Sequence, residues 1–131
     1  MDSSHVRDQL RRRAEEVLAR PPLDTVRLFL ATEFGDADSF DEVRARLGRL
    51  AQVNIRSHQR DLLAFEAVIA DPPPQPGVLS HMVAFDAGWE LDNHSDATAL
   101  EFLRQVAQML REVIGAAPAT ADRWQSWPPL P

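Results

Sequence analysis

The chain contains no cysteine. This absence excludes disulfide bonds, thiolate metal sites and a cysteine nucleophile, because each of them requires a thiol side chain. A chain without disulfides also suits a reducing compartment. We therefore expect a cytoplasmic protein whose stability depends on its apolar core.

Long hydrophobic runs are absent as well. No segment approaches the roughly 18 apolar residues that a membrane-spanning helix needs. The polar start of the chain, from Met1 to His5, leads into Arg11, Arg12 and Arg13, and no apolar signal-peptide core follows. These features predict neither secretion nor a membrane partner.

Lysine is missing too, so all 14 basic side chains are arginines. We interpret this bias as a codon effect of a GC-rich bacterial genome. The 20 acidic residues outnumber the arginines and give a formal net charge of −6. Because nucleic-acid phosphates attract basic surfaces, this charge argues against a nucleic-acid partner and allows a basic protein partner.

Signals for β-strands are weak, since tyrosine is absent and the branched aliphatic residues do not cluster in short alternating runs. A length of 131 residues suits one domain with one core. The sequence therefore predicts an all-α fold, an irregular bundle of five to six helices within residues 1–115. Residues 116–131, which contain Trp124 and Trp127, are predicted to form an extended tail that docks on the bundle or is disordered.

Apolar residues at spacings of three and four predict the individual helices. We expect helices over residues 4–20, 23–34, 78–91 and 96–114, and over residues 39–70 with a break or bend near residues 53–56. The predicted buried stripes include Val6 in the first helix, Leu50 in the third, and Phe85 with Trp89 in the helix over 78–91. Prolines in residues 71–77 predict a stiff, non-helical linker.

Some residues predict where helices begin and end. Gly35 is expected to end the second helix in the left-handed conformation that glycine adopts without strain. Ser39 and Glu42 have the capping-box pattern, in which Ser39 accepts from the Glu42 N–H and the Glu42 carboxylate reaches back to Ser39. Ser95 is the expected N-cap of the last helix.

The sequence shows no motif that would bring catalytic residues together. The chain has no G-x-S-x-G elbow, and its five glycines lie too far apart for a phosphate-binding loop. Its four histidines form no pair at the spacing that places two metal ligands on one helix face. We therefore expect neither enzymatic activity nor a cofactor.

A metal site is a weaker alternative. Asp86, Glu90 and His94 follow one another at intervals of four residues, and Glu33 is a further possible ligand. A helix break near Asp92 would separate these side chains, so we favour a solvated acidic surface over a bound metal.

Acidic residues gather in two segments, residues 33–42 and 86–101, and neither segment contains an arginine. Helix capping explains the acids at helix N-termini but not the others. We predict that both segments contribute to a docking surface for a basic protein, with Phe40 and Trp89 as nearby aromatic anchors, although both rings also suit the core. The residues predicted to bind the partner are Glu33, Asp36, Asp38, Asp41, Glu42, Asp86, Trp89, Glu90, Asp92 and Asp96.

A particular order of segments runs through the chain: Leu28–Asp36, a capped helix from Ser39, the segment Asp61–Glu66, and the closing helix Ala99–Leu110. This layout resembles small immunity proteins of contact-dependent growth inhibition systems over about residues 22–113. The loop differs from the family pattern, which has a Tyr-Phe and an Asp-Trp pair where this chain has Glu-Phe and Asp-Ala.

The resemblance implies a helical fold and a protein that neutralises a cognate toxin domain, often a nuclease, without catalysis. An acidic inhibitor suits a basic nuclease site because its carboxylates mimic phosphate charge. Two other functions stay open: a helical adaptor or regulatory module whose apolar surface dominates binding, and a small enzyme or metal-binding protein. The oligomeric state does not follow from the sequence.

Overall fold

The computed structural model describes residues 6–9, 11–12, 20–91 and 93–118. Its helices are α1 (Pro22–Phe29), α2 (Phe40–Ala51), α3 (Arg56–Ala70), α4 (Val78–His81) and α5 (Asp96–Gly115). A π-helical turn extends α1 over Leu30–Phe34, and a second one extends α4 over Met82–Asp86. Residues 6–9 and 11–12 are helical as well. No β-strand occurs in these ranges, so the predicted all-α bundle is confirmed.

The core is built around α5, the longest of these helices. Its residues Leu103, Val106, Ala107 and Leu110 are fully buried, because spacings of three and four place them on one face. The helices α2, α3 and α4 each pack against α5, and α1 packs against α3. The apolar stripe predicted for the last helix is thereby confirmed.

The helix α1 begins where the prolines predict. Pro22 occupies the first helical position, where its fixed φ angle suits the helix and its missing N–H costs no hydrogen bond. Val26, Leu30 and Phe34 are buried as predicted, and Leu23 packs half-buried beside them.

The predicted left-handed end of this helix at Gly35 is wrong. Gly35 has φ −55° and ψ −37°, which is right-handed helical backbone. A Cβ atom at this position would lie only 2.5 Å from the carbonyl oxygen of Ala31. Glycine is therefore required here because the end of the π-helical turn places the Ala31 carbonyl oxygen where a side chain at residue 35 would begin, not because of its φ angle.

Side-chain caps define the start of α2 and of α5. The Glu42 N–H donates to Ser39 Oγ at 3.1 Å, and the Thr98 N–H donates to Ser95 Oγ at 3.1 Å, so both predicted N-caps are confirmed. The prediction of the second hydrogen bond of the capping box is wrong. The Glu42 carboxylate accepts from the N–H of Asp38 at 2.9 Å and not from that of Ser39, so the contact reaches one residue further back along the chain than predicted.

The helical pattern over residues 39–70 is interrupted between α2 and α3, as predicted. The helix α2 ends at Ala51, and the Asn54 side chain accepts from the Arg56 N–H at 2.8 Å where α3 begins. One turn later, the buried His58 places Nε2 2.9 Å from the Leu47 carbonyl oxygen. This hydrogen bond fixes α3 to α2. The linker over residues 71–77 is non-helical, also as predicted.

Three predicted core residues lie at the surface instead. Val6, Leu50 and Phe85 are 48%, 52% and 73% exposed. In α2 the buried stripe advances by steps of four to Ala51, which turns Leu50 outward. In the helix after the linker, the buried stripe passes through Leu79 and Val83, so Phe85 lies on the other side.

The predicted helix over residues 78–91 is also too long. Its helical part ends at Asp86, and Gly88 adopts φ +61°, a left-handed value that ends the helix before Trp89. Trp89 is half-buried in the segment that follows.

Within the described ranges, no helix has the length and apolarity needed to cross a membrane. Most of the predicted helix over 4–20 and the predicted tail from residue 119 onward lie outside the described residues.

Candidate functional site

Four aromatic rings meet where the two acidic segments approach each other. Phe34 and Phe40 flank the first acidic loop, Trp89 lies in the second acidic segment, and Phe102 comes from α5. Every pair among these rings has centroids 5.3–5.6 Å apart, mostly in edge-to-face geometry. Such contacts add to the free energy of apolar burial. The cluster therefore joins the two acidic segments, which lie about 50 residues apart in the sequence.

The outer part of this cluster remains accessible. Phe34 and Phe102 are buried, whereas Phe40 and Trp89 are half-buried. Asp41 directly follows Phe40, and Glu90 directly follows Trp89. Each half-buried ring is thus followed by an exposed carboxylate.

Several carboxylates in these segments have no ion-pair partner among the described residues. Asp36, Asp38, Asp41 and Glu90 are all exposed. Their charges are solvated and available to a partner. We call these four residues, together with Phe40 and Trp89, the acidic face.

Other predicted residues already have partners within the fold. Glu33 is only 17% exposed and accepts from Arg46 Nε at 3.0 Å, while Arg46 also donates to the Glu33 carbonyl oxygen. Asp86 accepts from Arg27 Nε at 3.0 Å. These two carboxylates connect helices, and their charges are largely neutralised by arginine.

Asp96 has a structural role at the end of the proline-rich linker. Its carboxylate accepts from the N–H groups of Gly77 at 2.8 Å and Ser80 at 3.1 Å. These hydrogen bonds hold the pKa of Asp96 below its ordinary value. Glu42 likewise uses one oxygen on the Asp38 N–H. Asp92, the remaining predicted residue, lies outside the described residues.

The alternative metal site has little geometric support in the described part of the chain. No three histidine or acidic side chains converge there. Of the proposed ligands, Glu33 and Asp86 already bind arginines.

Sequence reasoning missed Asp61, a half-buried carboxyl on α3. Burial raises the pKa of Asp61 to about 6; the Arg60 guanidinium opposes this shift and the nearby Glu33 carboxylate adds to it. The sequence gives no sign of this, because an Asp beside an Arg looks like a surface ion pair.

A groove beside α4 was missed as well. It has a volume of about 520 Å³ and is lined by residues that include Arg27, His81 and Met82. No sequence signal indicated it, since the apolar pattern had assigned the neighbouring Phe85 to the core.

Comparisons with protein-family models, curated proteins and solved structures found no match to this chain.

Proposed function

We propose that this protein is a non-catalytic inhibitor of the immunity type, which binds a basic toxin domain through the acidic face and blocks it sterically and electrostatically. The aromatic cluster is the observation that supports this proposal most, because it unites two acidic segments that are distant in sequence. Under this proposal the protein acts in the bacterial cytoplasm.

The charge of the acidic face favours a basic partner. Asp36, Asp38, Asp41 and Glu90 are exposed, have no ion-pair partner among the described residues, and belong to the two segments that the aromatic cluster brings together. Such charge accelerates the approach of a positively charged protein. A neutral partner would gain nothing from these carboxylates.

The aromatic rings supply binding affinity that the charges alone do not provide. Exposed carboxylates contribute mainly to association rate, whereas half-buried aromatic rings at the centre of an interface contribute most to affinity. Phe40 and Trp89 are half-buried rings, and each is followed directly by an exposed carboxylate of the acidic face. The rigid cluster beneath them fixes their orientation before binding, which lowers the entropic cost of association.

A charge-reversal experiment tests the acidic face. The probe is the C-terminal domain of the protein encoded immediately upstream, where a large secreted protein with a variable C-terminal domain is expected. We expect the wild-type protein to bind this domain and to restore growth of cells that express it. The double variant Asp36→Lys with Glu90→Lys should bind at least about tenfold more weakly, with most of the change in the association rate.

A matched control carries the same charge change elsewhere. Asp24→Lys with Asp71→Lys alters two exposed aspartates outside the acidic face and should leave binding within about twofold, as expected for distant surface charges. Equal losses for both double variants would show that net charge alone matters and would contradict the proposed face. Failure of the wild-type protein to bind the upstream domain would overturn the immunity function.

A second candidate function is a helical adaptor that binds through apolar surface. It is favoured by the exposed Phe85 beside the groove of α4. Reversing charge at Asp36 and Glu90 separates the two functions, because it should leave an apolar contact at Phe85 largely intact.

A further inference from the structure

Arg46 of α2 binds the end of the π-helical turn that extends α1. Its Nε donates to the Glu33 carboxylate at 3.0 Å, and its Nη2 donates to the Glu33 carbonyl oxygen. That carbonyl lies at the end of the turn over Leu30–Phe34, where backbone carbonyl groups lack partners within the helix. One planar guanidinium therefore holds an acidic side chain and a helix end together, a geometry that a lysine cannot reproduce.

This ion pair is more shielded from water than the others. The side chains of Arg46 and Glu33 are 33% and 17% exposed, whereas the arginines of the other ion pairs among the described residues are 47–54% exposed. Water and salt weaken an exposed pair more than a partly buried one. Of these ion pairs, the contact of Arg46 is therefore the one expected to restrain the backbone most.

A short loop, residues 35–39, connects the π-helical turn to α2 and bears Asp36 and Asp38, two carboxylates of the acidic face. At the α2 end of this loop, the Asp38 N–H donates to the Glu42 carboxylate at 2.9 Å. Arg46 fixes the other end through its contact with the π-helical turn. Because both ends are held, the two exposed carboxylates have defined positions before a partner arrives.

We propose that Arg46 is a positioning residue for the acidic face, which acts through Glu33 by holding this loop in the shape that the basic partner binds. The inference rests on the proposed function of the acidic face. The charge of Arg46 by itself opposes a basic partner, since a positive group beside the loop lowers its negative potential. The benefit of Arg46 is geometric, because a loop that is already ordered loses less conformational entropy on binding.

The substitution Arg46→Gln separates geometry from charge, because the two effects have opposite signs. Loss of one positive charge alone should leave the affinity for a basic partner unchanged or up to about threefold tighter. Loss of the contact should weaken binding at least about fivefold, mainly through faster dissociation. We expect the weaker binding when surface plasmon resonance compares the variant and the wild-type protein on the C-terminal domain encoded upstream.

Arg49→Gln is the matched control. Arg49 lies on α2 close to Arg46, is exposed and has no ion-pair partner among the described residues. This control makes the same charge change and should bind at least as tightly as the wild-type protein. An Arg46→Gln variant that binds as tightly as the control would overturn the proposal.

Arg46→Lys keeps the charge and tests the two-point contact. A single ammonium group lacks the fork that reaches both oxygen atoms of Glu33, so this variant should still bind at least about twofold more weakly than the wild-type protein. Full recovery of binding in Arg46→Lys would show that charge alone matters and would overturn the proposed geometry.

Amide hydrogen exchange, measured by NMR, tests the loop without any partner. The Ala37 N–H donates to the Phe34 carbonyl oxygen at 3.1 Å, so its exchange rate reports the order of the loop. Arg46→Gln should raise this rate at least about fivefold, while Arg49→Gln and the amides of α5 should stay within about twofold of their wild-type rates.

An unchanged Ala37 rate in Arg46→Gln would overturn the role of Arg46, whatever the binding data show. A raised rate together with a wild-type protein that does not bind the upstream domain would count against the proposed function and not against the loop contact. The two failures are therefore distinguishable.

Discussion

Asp61 is a carboxyl whose environment favours its neutral form. It lies half-buried on α3, where loss of hydration raises its pKa from 3.8 to about 6 and the arginines nearby compensate only in part. In the unfolded chain the same group titrates near its ordinary value. The folded protein therefore binds more protons than the unfolded protein between about pH 4 and pH 6, and the free energy of unfolding falls as the pH rises through this window.

Replacing Asp61 with asparagine should stabilise the protein at neutral pH. The variant Asp61→Asn keeps the side-chain shape and removes the ionised form, so the free energy of unfolding at about pH 7 should rise by about 1–3 kcal/mol. Urea denaturation between about pH 4 and pH 7 measures this change. The stability of the variant should vary less with pH in this window than that of the wild-type protein.

Asp36→Asn provides the comparison, because Asp36 is exposed and has no ion-pair partner among the described residues. It should leave both the stability and its pH dependence nearly unchanged. A loss of stability in Asp61→Asn at neutral pH would mean that the ionised carboxylate makes a favourable ion pair instead.

At the scale of single elements, two glycines have opposite roles. Gly35 follows the π-helical turn of α1, where a Cβ atom would meet the Ala31 carbonyl oxygen at 2.5 Å. Gly48 lies within α2, and apart from the backbone of its own helix and its chain neighbours, a Cβ atom there would meet no atom within 4 Å. The same substitution should therefore have opposite effects at the two positions.

Gly35→Ala should destabilise the protein by about 1–3 kcal/mol, because the backbone must shift to remove the clash. Gly48→Ala should stabilise it by about 0.5–1 kcal/mol, since alanine loses less backbone entropy than glycine in a helix. Thermal and urea denaturation of both variants measure these changes. If Gly35→Ala were as stable as Gly48→Ala, the π-helical turn would not require glycine.

One side-chain contact explains why α1 and α2 keep their relative position. Arg46 of α2 holds both the side chain and the carbonyl oxygen of Glu33, and this contact crosses the loop that bears the first acidic residues. The sequence shows the loop and its cap at Ser39, but it does not show this bridge.

For the whole molecule, Trp89 is the residue that joins the two acidic segments. It contacts the rings of Phe34, Phe40 and Phe102. Removing this indole leaves the segment around Glu90 without its main apolar contact to the first loop. Folding stability and partner binding should therefore respond together.

Trp89→Ala should lower the free energy of unfolding by about 2–4 kcal/mol, because a half-buried aromatic side chain is lost from a packed cluster. Trp89→Phe should retain a ring and lose less than half of that amount. Urea denaturation followed by circular dichroism gives both values. Equal effects of the two substitutions would show that the ring contacts contribute little and that the indole size alone matters.

Local sequence patterns were enough to predict the all-α fold, the break between α2 and α3, the non-helical linker and the caps at Ser39 and Ser95. These features depend on residues within a few positions of each other, where helical periodicity and backbone hydrogen bonding act. The same local information located the two acidic segments.

Which of the acidic residues are neutralised depends on the packing of the helices, because Arg27 and Asp86 are 59 positions apart and Arg46 and Glu33 are 13 apart. Helix packing sets these distances, and no local pattern encodes them. Packing also decided that Phe85 faces water and that Trp89 meets Phe40, since the surroundings of both rings depend on distant parts of the chain.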